Sequence, residues 1–404
     1  MDNQKVEKKV LVINCGSSSL KYEVYNMPSR VSLGKGLVER IGNKIGCISQ
    51  KKNGNKYTKE TPIPDHKAAM KLVMEALTDE KEGILSNMSE IGAVGHRVVH
   101  GGEKYSSSVI IDNEVIKAID EYSDLAPLHN PPNLTGIRET MAILPNVNHV
   151  AVFDTAFHQT LPPSSYLYGL PYELYEKYKI RRYGFHGTSH RYVANQALRL
   201  VKRVAENTNV ITCHLGNGAS VTAIENGKSV DTSMGFTPLE GLIMGTRSGD
   251  IDPSIITYLM DKGYESGQIN NMLNKKSGLL GLTGISNDMR DILAAADEGN
   301  ERAKQALDAY AYRIRKYIGG YAANLVKVDV LVFTGGIGEN ASRIRAMICD
   351  RLENVGMVMD YEKNAVQGSA PGIVSKNYSR TQIVVFPTNE ELQIASDAYK
   401  LIEE

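Results

Sequence analysis

Short apolar runs punctuated by glycine, serine and asparagine, with stretches of helical spacing between them, organise this chain. Residues 10–25, VLVINCGSSSLKYEVY, open on the run VLVI, break at Asn14, Gly16 and three serines, and resume as alternating residues around Lys21. That pattern predicts a strand, a polar turn and a second strand. The design returns with Gly16 set against Gly216, a spacing of 200 residues: residues 210–224, VITCHLGNGASVTAI, repeat the apolar approach, the glycine-centred turn and the alternating exit. A third turn, LVFTGGIGEN at residues 331–340, places three glycines and Asn340 directly behind an apolar strand, where backbone can come close to a ligand. Such turns can hold phosphate oxygens with N–H and hydroxyl donors, with Lys21 as a nearby point charge. One of them alone is as easily only a turn; three, two of them in matching register, point to a nucleotide-handling enzyme.

Between these turns the periodicity alternates. Residues 34–60 are polar and rich in Gly, Lys and Asn, which predicts short strands and loops, and DHKAAMKLVMEAL then reads as a helix capped by Asp65. Strands are predicted at residues 91–99 and 147–153, the second delivering Asp154 just past its end, where open α/β sheets bind ligands. A Tyr- and Pro-rich stretch follows at residues 162–183, then a long amphipathic helix for which Thr188 or Ser189 is the expected cap. Asp252 is the expected cap of DPSIITYLMDKG, with Pro253 at its first position. Residues 303–325 predict a long helix before a strand at 328–333, and the tail predicts a strand, a turn carrying Asn389 and Glu390, and a closing helix.

At 404 residues the chain exceeds what one hydrophobic core supports, so two domains are expected, with a boundary near Asp154 and two related halves. Lys plus Arg and Asp plus Glu both number 46, and no basic block or stripe is present, which argues for a small-molecule partner rather than nucleic acid. Cys15, Cys47, Cys213 and Cys349 form no CxxC pair, which argues against a zinc ribbon and fits reduced thiols in a cytosol; Cys15 and Cys213 read as packing residues. VLVI is too short for a signal-peptide core, and no segment approaches the ~20 apolar residues of a membrane span. A soluble cytoplasmic protein is expected.

Phosphoryl transfer asks for positioned positive charge, metal ligands and phosphate-cradling backbone. Arg97, at a strand end in GHRVVHGGE, and Arg247, in MGTRSGD, carry planar forks suited to a phosphoryl group and a carboxylate, although each alone also suits a salt bridge. His186 and His190 in FHGTSH have the i, i+4 spacing of a zinc pair, but Gly187 and the expected cap put His186 ahead of the helix. The open readings are a zinc pair, an imidazole donor to a phosphoryl oxygen, and structural histidines. His129 in APLHNPPN reads as an acceptor-pocket residue or a loop cap. Asp154, Glu390 and Asn14 offer the few oxygen ligands that Mg²⁺ takes besides water and substrate phosphates; helix capping is the competing reading for the two carboxylates.

The chain resembles the acetokinase family, within the superfamily of acetate and sugar kinases, heat-shock ATPases and actin. The motifs NCGSSSLK, GHRVVHGGE, APLHNPPN, VFDTAFH, YGFHGTSH, HLGNGAS, MGTRSGD, NDMRD, TGGIGEN and PTNEE carry the likeness from end to end. It implies an α/β fold of two ribonuclease-H-like (actin-like ATPase) domains with an interdomain active-site cleft. Residues 1–153 plus 388–404 would form the acyl and phosphate side, with the C-terminal helix returning to it, and residues 154–387 the nucleotide-binding domain. It further implies a homodimer and reversible in-line transfer of the ATP γ-phosphoryl to acetate, giving acetyl phosphate and ADP. Carried over by motif, Asn14 and Glu390 bind Mg²⁺ (or Mn²⁺), Lys21 lies near the nucleotide phosphates with Ser17 and Ser19 in the phosphate turn, and Arg97 meets the acyl substrate. The resemblance assigns His186 and Arg247 to transition-state stabilisation. His214, Leu215, Gly216, Asn217, Gly218, Asp288, Met289, Arg290, Gly336, Ile337, Gly338, Glu339 and Asn340 line the ATP site.

Val99 and Leu128, beside Arg97 and His129, are candidate apolar walls for the acyl methyl. Asp154 is the family's usual proton donor or acceptor. A carboxylate acceptor is already an anionic nucleophile near pH 7, so a role in orienting the acceptor or holding Mg²⁺ is expected instead. The same chemistry on propionate or butyrate, an actin-like or heat-shock-like ATPase lacking an acyl acceptor, and a zinc metallohydrolase are the alternatives.

Overall fold

The computed structural model describes residues 7–403. The chain divides into two compact units, one running to Phe157 and taking in Asn389 onward, the other spanning His158–Thr388. The division falls a few residues beyond the expected boundary, so Asp154 belongs to the first unit and Thr388 to the second.

The first unit carries β1 (Lys8–Cys15), β2 (Ser19–Met27), β3 (Val31–Glu39), β4 (Gly46–Lys52), β5 (Asn55–Thr61), β6 (Ile91–Val98), β7 (Val109–Ile110) and β8 (Asn148–Phe153), in sheet order β5-β4-β3-β2-β1-β6-β8-β7. The second carries β9 (Asn209–Leu215), β10 (Ala219–Glu225), β11 (Lys228–Thr232), β12 (Val330–Thr334), β13 (Gly372–Ile373) and β14 (Gln382–Val385), in order β11-β10-β9-β12-β14-β13. Both sheets share one kernel. Three strands run antiparallel as a meander, and two more add in parallel beside the first: β1, β6 and β8 in one unit, β9, β12 and β14 in the other. A short antiparallel strand closes that edge in each.

The repeat seen in the sequence is therefore topological, with one local difference. Cys15 pairs with Leu20 across the first hairpin and Leu215 with Ala219 across the second, so residues 16–19 are enclosed in one and 216–218 in the other. The first turn closes by Gly16 N–H donating to the Ser19 carbonyl, the second by Gly216 N–H donating to the Gly218 carbonyl.

β1 reads as an unbroken apolar run because both of its faces are covered. Leu11, Ile13 and Cys15 pack with Ala69, Met70 and Val73 of the His66–Leu77 helix, whose cap Asp65 accepts from the Ala68 N–H at 2.8 Å. Val10 and Val12 pack with Ile394, Ala395 and Ala398 of the closing Glu390–Glu403 helix. Fully burying each such aliphatic side chain is worth about 1.5–3 kcal/mol, so these two helices fix the strand from opposite sides.

Two caps differ from expectation. Thr188 and Ser189 lie inside the first turn of the Gly187–Leu200 helix, and His186 holds the cap position at φ +56 with no side-chain cap bond. Their hydroxyls are not free to cap because both residues are buried, and Ser189 is engaged with His214 and Thr388. The Ser254–Asp261 helix starts one residue later than expected, with Pro253 at the cap position, and Asp252 still accepts from the Ser254 N–H at 2.9 Å. The third glycine turn is itself a helix, Gly335–Asn340, entered through Gly335 at φ +77. A Cβ on Gly335 would lie 2.7 Å from the Leu215 carbonyl oxygen, so only glycine permits this approach of β12 to β9.

Candidate active site

In the first unit the carboxyl ends of β1, β6 and β8 are neighbours: β6 supplies a guanidinium, and β1 and the end of β8 each deliver a polar side chain to it. Arg97, near the end of β6, donates to Asp154 just past β8, and its Nη1 donates to Asn14 Oδ1 on β1 at 3.4 Å. Its Nε lies 3.9 Å from Glu390 Oε2 at the start of the closing helix and has no hydrogen-bond partner although buried. Asp154 is 1% exposed, Arg97 23% and Glu390 22%. Burial first, and then the Asp154 carboxylate, push Glu390 up to about 7 against the pull of Arg97 and Lys21. Lys21 pairs with Asn14 across the β1–β2 hairpin.

Two carboxylates and an amide gathered around Arg97, with Glu390 pushed up by burial and the Asp154 carboxylate, supply oxygen donors of the kind a hard divalent cation such as Mg²⁺ takes. Among the described residues no three His, Cys, Asp or Glu side chains form a metal-holding group by themselves. A cation held by two carboxylates and an amide would therefore rely on substrate oxygens to complete its shell.

Two buried asparagines tie this cluster to the acceptor segments. Asn133 accepts from the Val99 N–H at 3.1 Å and donates to the Cys15 carbonyl at 2.7 Å, joining the end of β1 to the chain beyond β6. Asn130 accepts from the His100 N–H at 3.1 Å and donates to the His100 carbonyl at 3.0 Å. His129, at the cap of the Asn130–Ile143 helix, is thereby held beside the segment that follows Arg97. Val99 is buried, whereas Leu128 is 70% exposed, so the two candidate apolar walls stand in different surroundings. Ser17 is exposed in the first turn and Ser19 opens β2; the Gly16 carbonyl between the strands is taken by His66 Nε2 at 2.8 Å. Burial pushes the Cys15 thiol up to about 12, which leaves it a packing group against Gly136.

The second unit assembles its own cluster around the β9–β10 hairpin. A Cβ built on Gly218 would sit 3.5 Å from Arg247 Nη1 and 3.5 Å from His186 Nε2, so the guanidinium and the imidazole flank this glycine. Burial draws the Arg247 guanidinium down from its usual value. His186 stacks on His214 of β9 with ring centroids 4.3 Å apart, and its left-handed backbone holds it at the helix threshold. Its Nδ1 lies 2.9 Å from the Ser220 hydroxyl. His190 is wholly buried with Nδ1 on Thr212 and Nε2 on Ser220, both at 2.7 Å, so its two nitrogens serve hydroxyls and the zinc-pair reading fails.

Asn217 at the hairpin tip accepts from the Asn287 side-chain amide at 2.9 Å, and its carbonyl takes the Gly245 N–H at 2.9 Å. Asp288 caps the Met289–Asp297 helix and grips Arg290 on the surface, while Met289 is buried. Glu339 accepts from the Gly335 and Thr388 N–H groups at 2.9 and 3.2 Å, and Asn340 donates to the Gly336 carbonyl at 3.0 Å. Leu215 and Gly338 are buried, and Gly336 lies in the open first turn of the helix beside Ile337. Arg345, wholly buried, donates to the Gly338 and Glu339 carbonyls at 2.9 and 2.8 Å and fixes that helix from behind. Arg345, Ser220, Asn130 and Asn133 escaped the sequence reading as functional supports, since a lone Arg, Ser or Asn carries no spacing signal.

Two ribonuclease-H-like kernels, each with a glycine-centred hairpin and a cationic group at its strand ends, define a two-domain α/β protein of the actin-like ATPase class. Within that class the chain belongs to the acetokinase family, whose model matches residues 9–396. It is 56% identical to an acetate kinase of Alkaliphilus metalliredigens over 98% of this chain and all of the relative, and 53% identical to one of Clostridium beijerinckii over the same share of the chain. Among solved structures, Porphyromonas gingivalis acetate kinase superposes with a TM-score of 0.95 at 48% identity, covering 98% of this chain and all of the other. A propionate kinase from Francisella tularensis superposes at 0.91 with 44% identity and the same coverage.

Proposed function

We infer that the chain is an ATP-dependent phosphotransferase with a carboxylate acceptor, transferring the γ-phosphoryl reversibly to acetate to give acetyl phosphate and ADP. The observation that carries this reading, beyond family membership, is the pair of cationic clusters at equivalent sheet ends: Arg97 among Asn14, Asp154 and Glu390, and Arg247 with His186 around Gly218. A carboxylate oxygen attacks the γ-phosphorus, the bond to the β–γ bridging oxygen breaks, and ADP leaves. With reactants and products fully ionised, no proton is taken up or released. Asp154, buried and bonded to Arg97, serves this step by orienting the guanidinium that meets the acceptor. Arg97 offsets the repulsion between carboxylate and triphosphate, and Arg247 and the His186 imidazole stabilise the charge on the transferring oxygens.

Asn14, Asp154 and Glu390 are the residues that would hold Mg²⁺, or Mn²⁺ in its place. The ion supplies charge neutralisation between nucleotide oxygens when bound. His214 to Gly218, Asp288 to Arg290 and Gly336 to Asn340 are proposed to line the ATP side, and Lys21, Ser17 and Ser19 the phosphate turn. The acceptor pocket is proposed to draw on His129, Val99 and Leu128. The working form is proposed to be a cytoplasmic homodimer. No helix among the described residues is long and apolar enough to cross a membrane.

Incubation with ATP, Mg²⁺ and acetate, propionate or butyrate in turn, with hydroxylamine as trap, tests the proposal. Acetohydroxamate formation that stops in excess chelator is expected. One methylene discriminates by only about 1–3 kcal/mol, so slower turnover of propionate is compatible. Hydroxamate from none of the acids, or ATP turnover indifferent to added acid, would leave an ATPase without an acyl acceptor.

A further inference from the structure

Behind His186, two hydroxyls and a second imidazole form a buried chain of hydrogen bonds that ends on its Nδ1. Ser220 on β10 is wholly buried, with its Oγ 2.9 Å from His186 Nδ1 and 2.7 Å from His190 Nε2. On the far side, His190 Nδ1 lies 2.7 Å from the Oγ1 of Thr212, a wholly buried residue of β9. Among the described residues neither hydroxyl has any other hydrogen-bond partner. Burial, then His158 and His214, drive His190 well below its ordinary value and keep it neutral.

A hydroxyl has one proton to donate, and a neutral imidazole has one N–H and one bare nitrogen. A buried donor without an acceptor is costly, whereas a spare lone pair on a hydroxyl oxygen is tolerated better. With neutral rings, one arrangement gives both hydroxyl protons and the His190 N–H an acceptor. Thr212 donates to His190 Nδ1, His190 Nε2–H donates to Ser220, and Ser220 donates to His186 Nδ1. The reverse order strands the Thr212 proton, and two imidazoles donating to Ser220 strand the serine proton.

We propose that Ser220 is a positioning residue that holds His186 in the Nε2–H tautomer, so that a neutral imidazole presents its N–H beside Arg247 and Gly218 for a phosphoryl oxygen. This rests on the phosphotransfer reading for its use, though the tautomer itself does not. Groups packed against His186 include Ser220, His214, His190 and, across Gly218, Arg247, with His158 behind His190 at 5.8 Å between ring centroids. A neutral donor avoids setting a second cation against Arg247.

Nitrogen-15 NMR of histidine-labelled wild-type protein at pH 8 reads the tautomer directly. Nε2–H with Nδ1 as acceptor is expected at His186, and an Nδ1–H ring there overturns the proposal whether or not acetate is turned over. Ser220→Ala frees both tautomers, so kcat is expected to fall about tenfold at pH 8 with KM moving less than about twofold. The deficit relative to wild type should shrink below about pH 6, where an imidazolium carries a proton on both nitrogens. Ser220→Thr keeps the hydroxyl and should restore the wild-type profile. A deficit of equal size at every pH, or Ser220→Thr no better than Ser220→Ala, would overturn the assignment. Should Ser220→Ala fail to fold, Thr212→Val removes the distal donor and should let the Nδ1–H form of His186 appear by the same NMR measurement; an unchanged spectrum counts against the relay. Wild-type protein inactive toward every acid would instead sink the functional reading and leave the NMR result standing.

Discussion

Gly218→Ala separates foldability from chemistry at this site. The added Cβ would lie 3.5 Å from Arg247 Nη1 and from His186 Cε1 and Nε2, ordinary contact distances, and the Gly218 backbone lies outside the left-handed region. Alanine is therefore accepted without strain, and lost freedom of the unfolded chain stabilises by about 0.4–1 kcal/mol. The melting temperature should hold or rise slightly. Catalysis should suffer, because a methyl 3.5 Å from both donors occupies the place of an oxygen bonded to both. Removing one donor to a developing oxyanion lowers kcat by about 10²–10³, or roughly 2.7–4 kcal/mol, and here two are obstructed. The hydroxamate assay with ATP and acetate should show at least a hundredfold loss, with thermal melting as the companion measurement. Gly278→Ala is the contrasting control: with φ +63 and a Cβ that would fall 2.2 Å from the Met244 backbone carbonyl oxygen, that variant should lose stability. A Gly218→Ala enzyme within about threefold of wild type would refute the placement of the transferring group between His186 and Arg247.

Arg97→Ala strips the shared partner from Asp154 and Glu390; a loss of about 2–3 kcal/mol in stability is expected, below the full cost of breaking a buried pair because Arg97 is partly exposed, together with a raised KM for acetate. Arg97→Lys should not restore the kinetics, since a point charge cannot serve Asn14 and Asp154 as a planar fork does; steady-state rates with varied acetate check both variants. Asn133→Ala leaves the Val99 N–H and the Cys15 carbonyl unpartnered at about 1–3 kcal/mol each, so its urea midpoint should fall well before any direct effect on ATP binding. Burial lowers five histidines, His96 and His190 far, His100 to about 3, His158 to about 4, and His149 in the same direction. Each binds fewer protons folded than unfolded below about pH 6.5, so stability should fall as pH drops from there, by about 2 kcal/mol at pH 5 for each whose folded value lies well below 5. Urea titrations at pH 7.5 and 5 that give equal stabilities would contradict this.

The order of elements, the doubled hairpin and the apolar continuity of β1 were legible in the residues alone, because strand alternation, glycine turns and helical spacing are local consequences of backbone geometry. So was Asp65 as a helix cap, since an N-cap bond spans only three residues. Motif likeness supplied the family and the candidate residues. What the linear order could not give is which side chains meet. Asn14, Arg97, Asp154 and Glu390 are joined only because β1, β6 and β8 lie side by side and the closing helix starts at their ends. Ser189 looked like a cap until tertiary packing set His214 and Thr388 against its hydroxyl. The buried relay from Thr212 through His190 and Ser220 to His186 is the clearest case. Its proton order follows from which hydroxyls lack any other partner, a property of three-dimensional enclosure that leaves no trace in the spacing of residues along a chain.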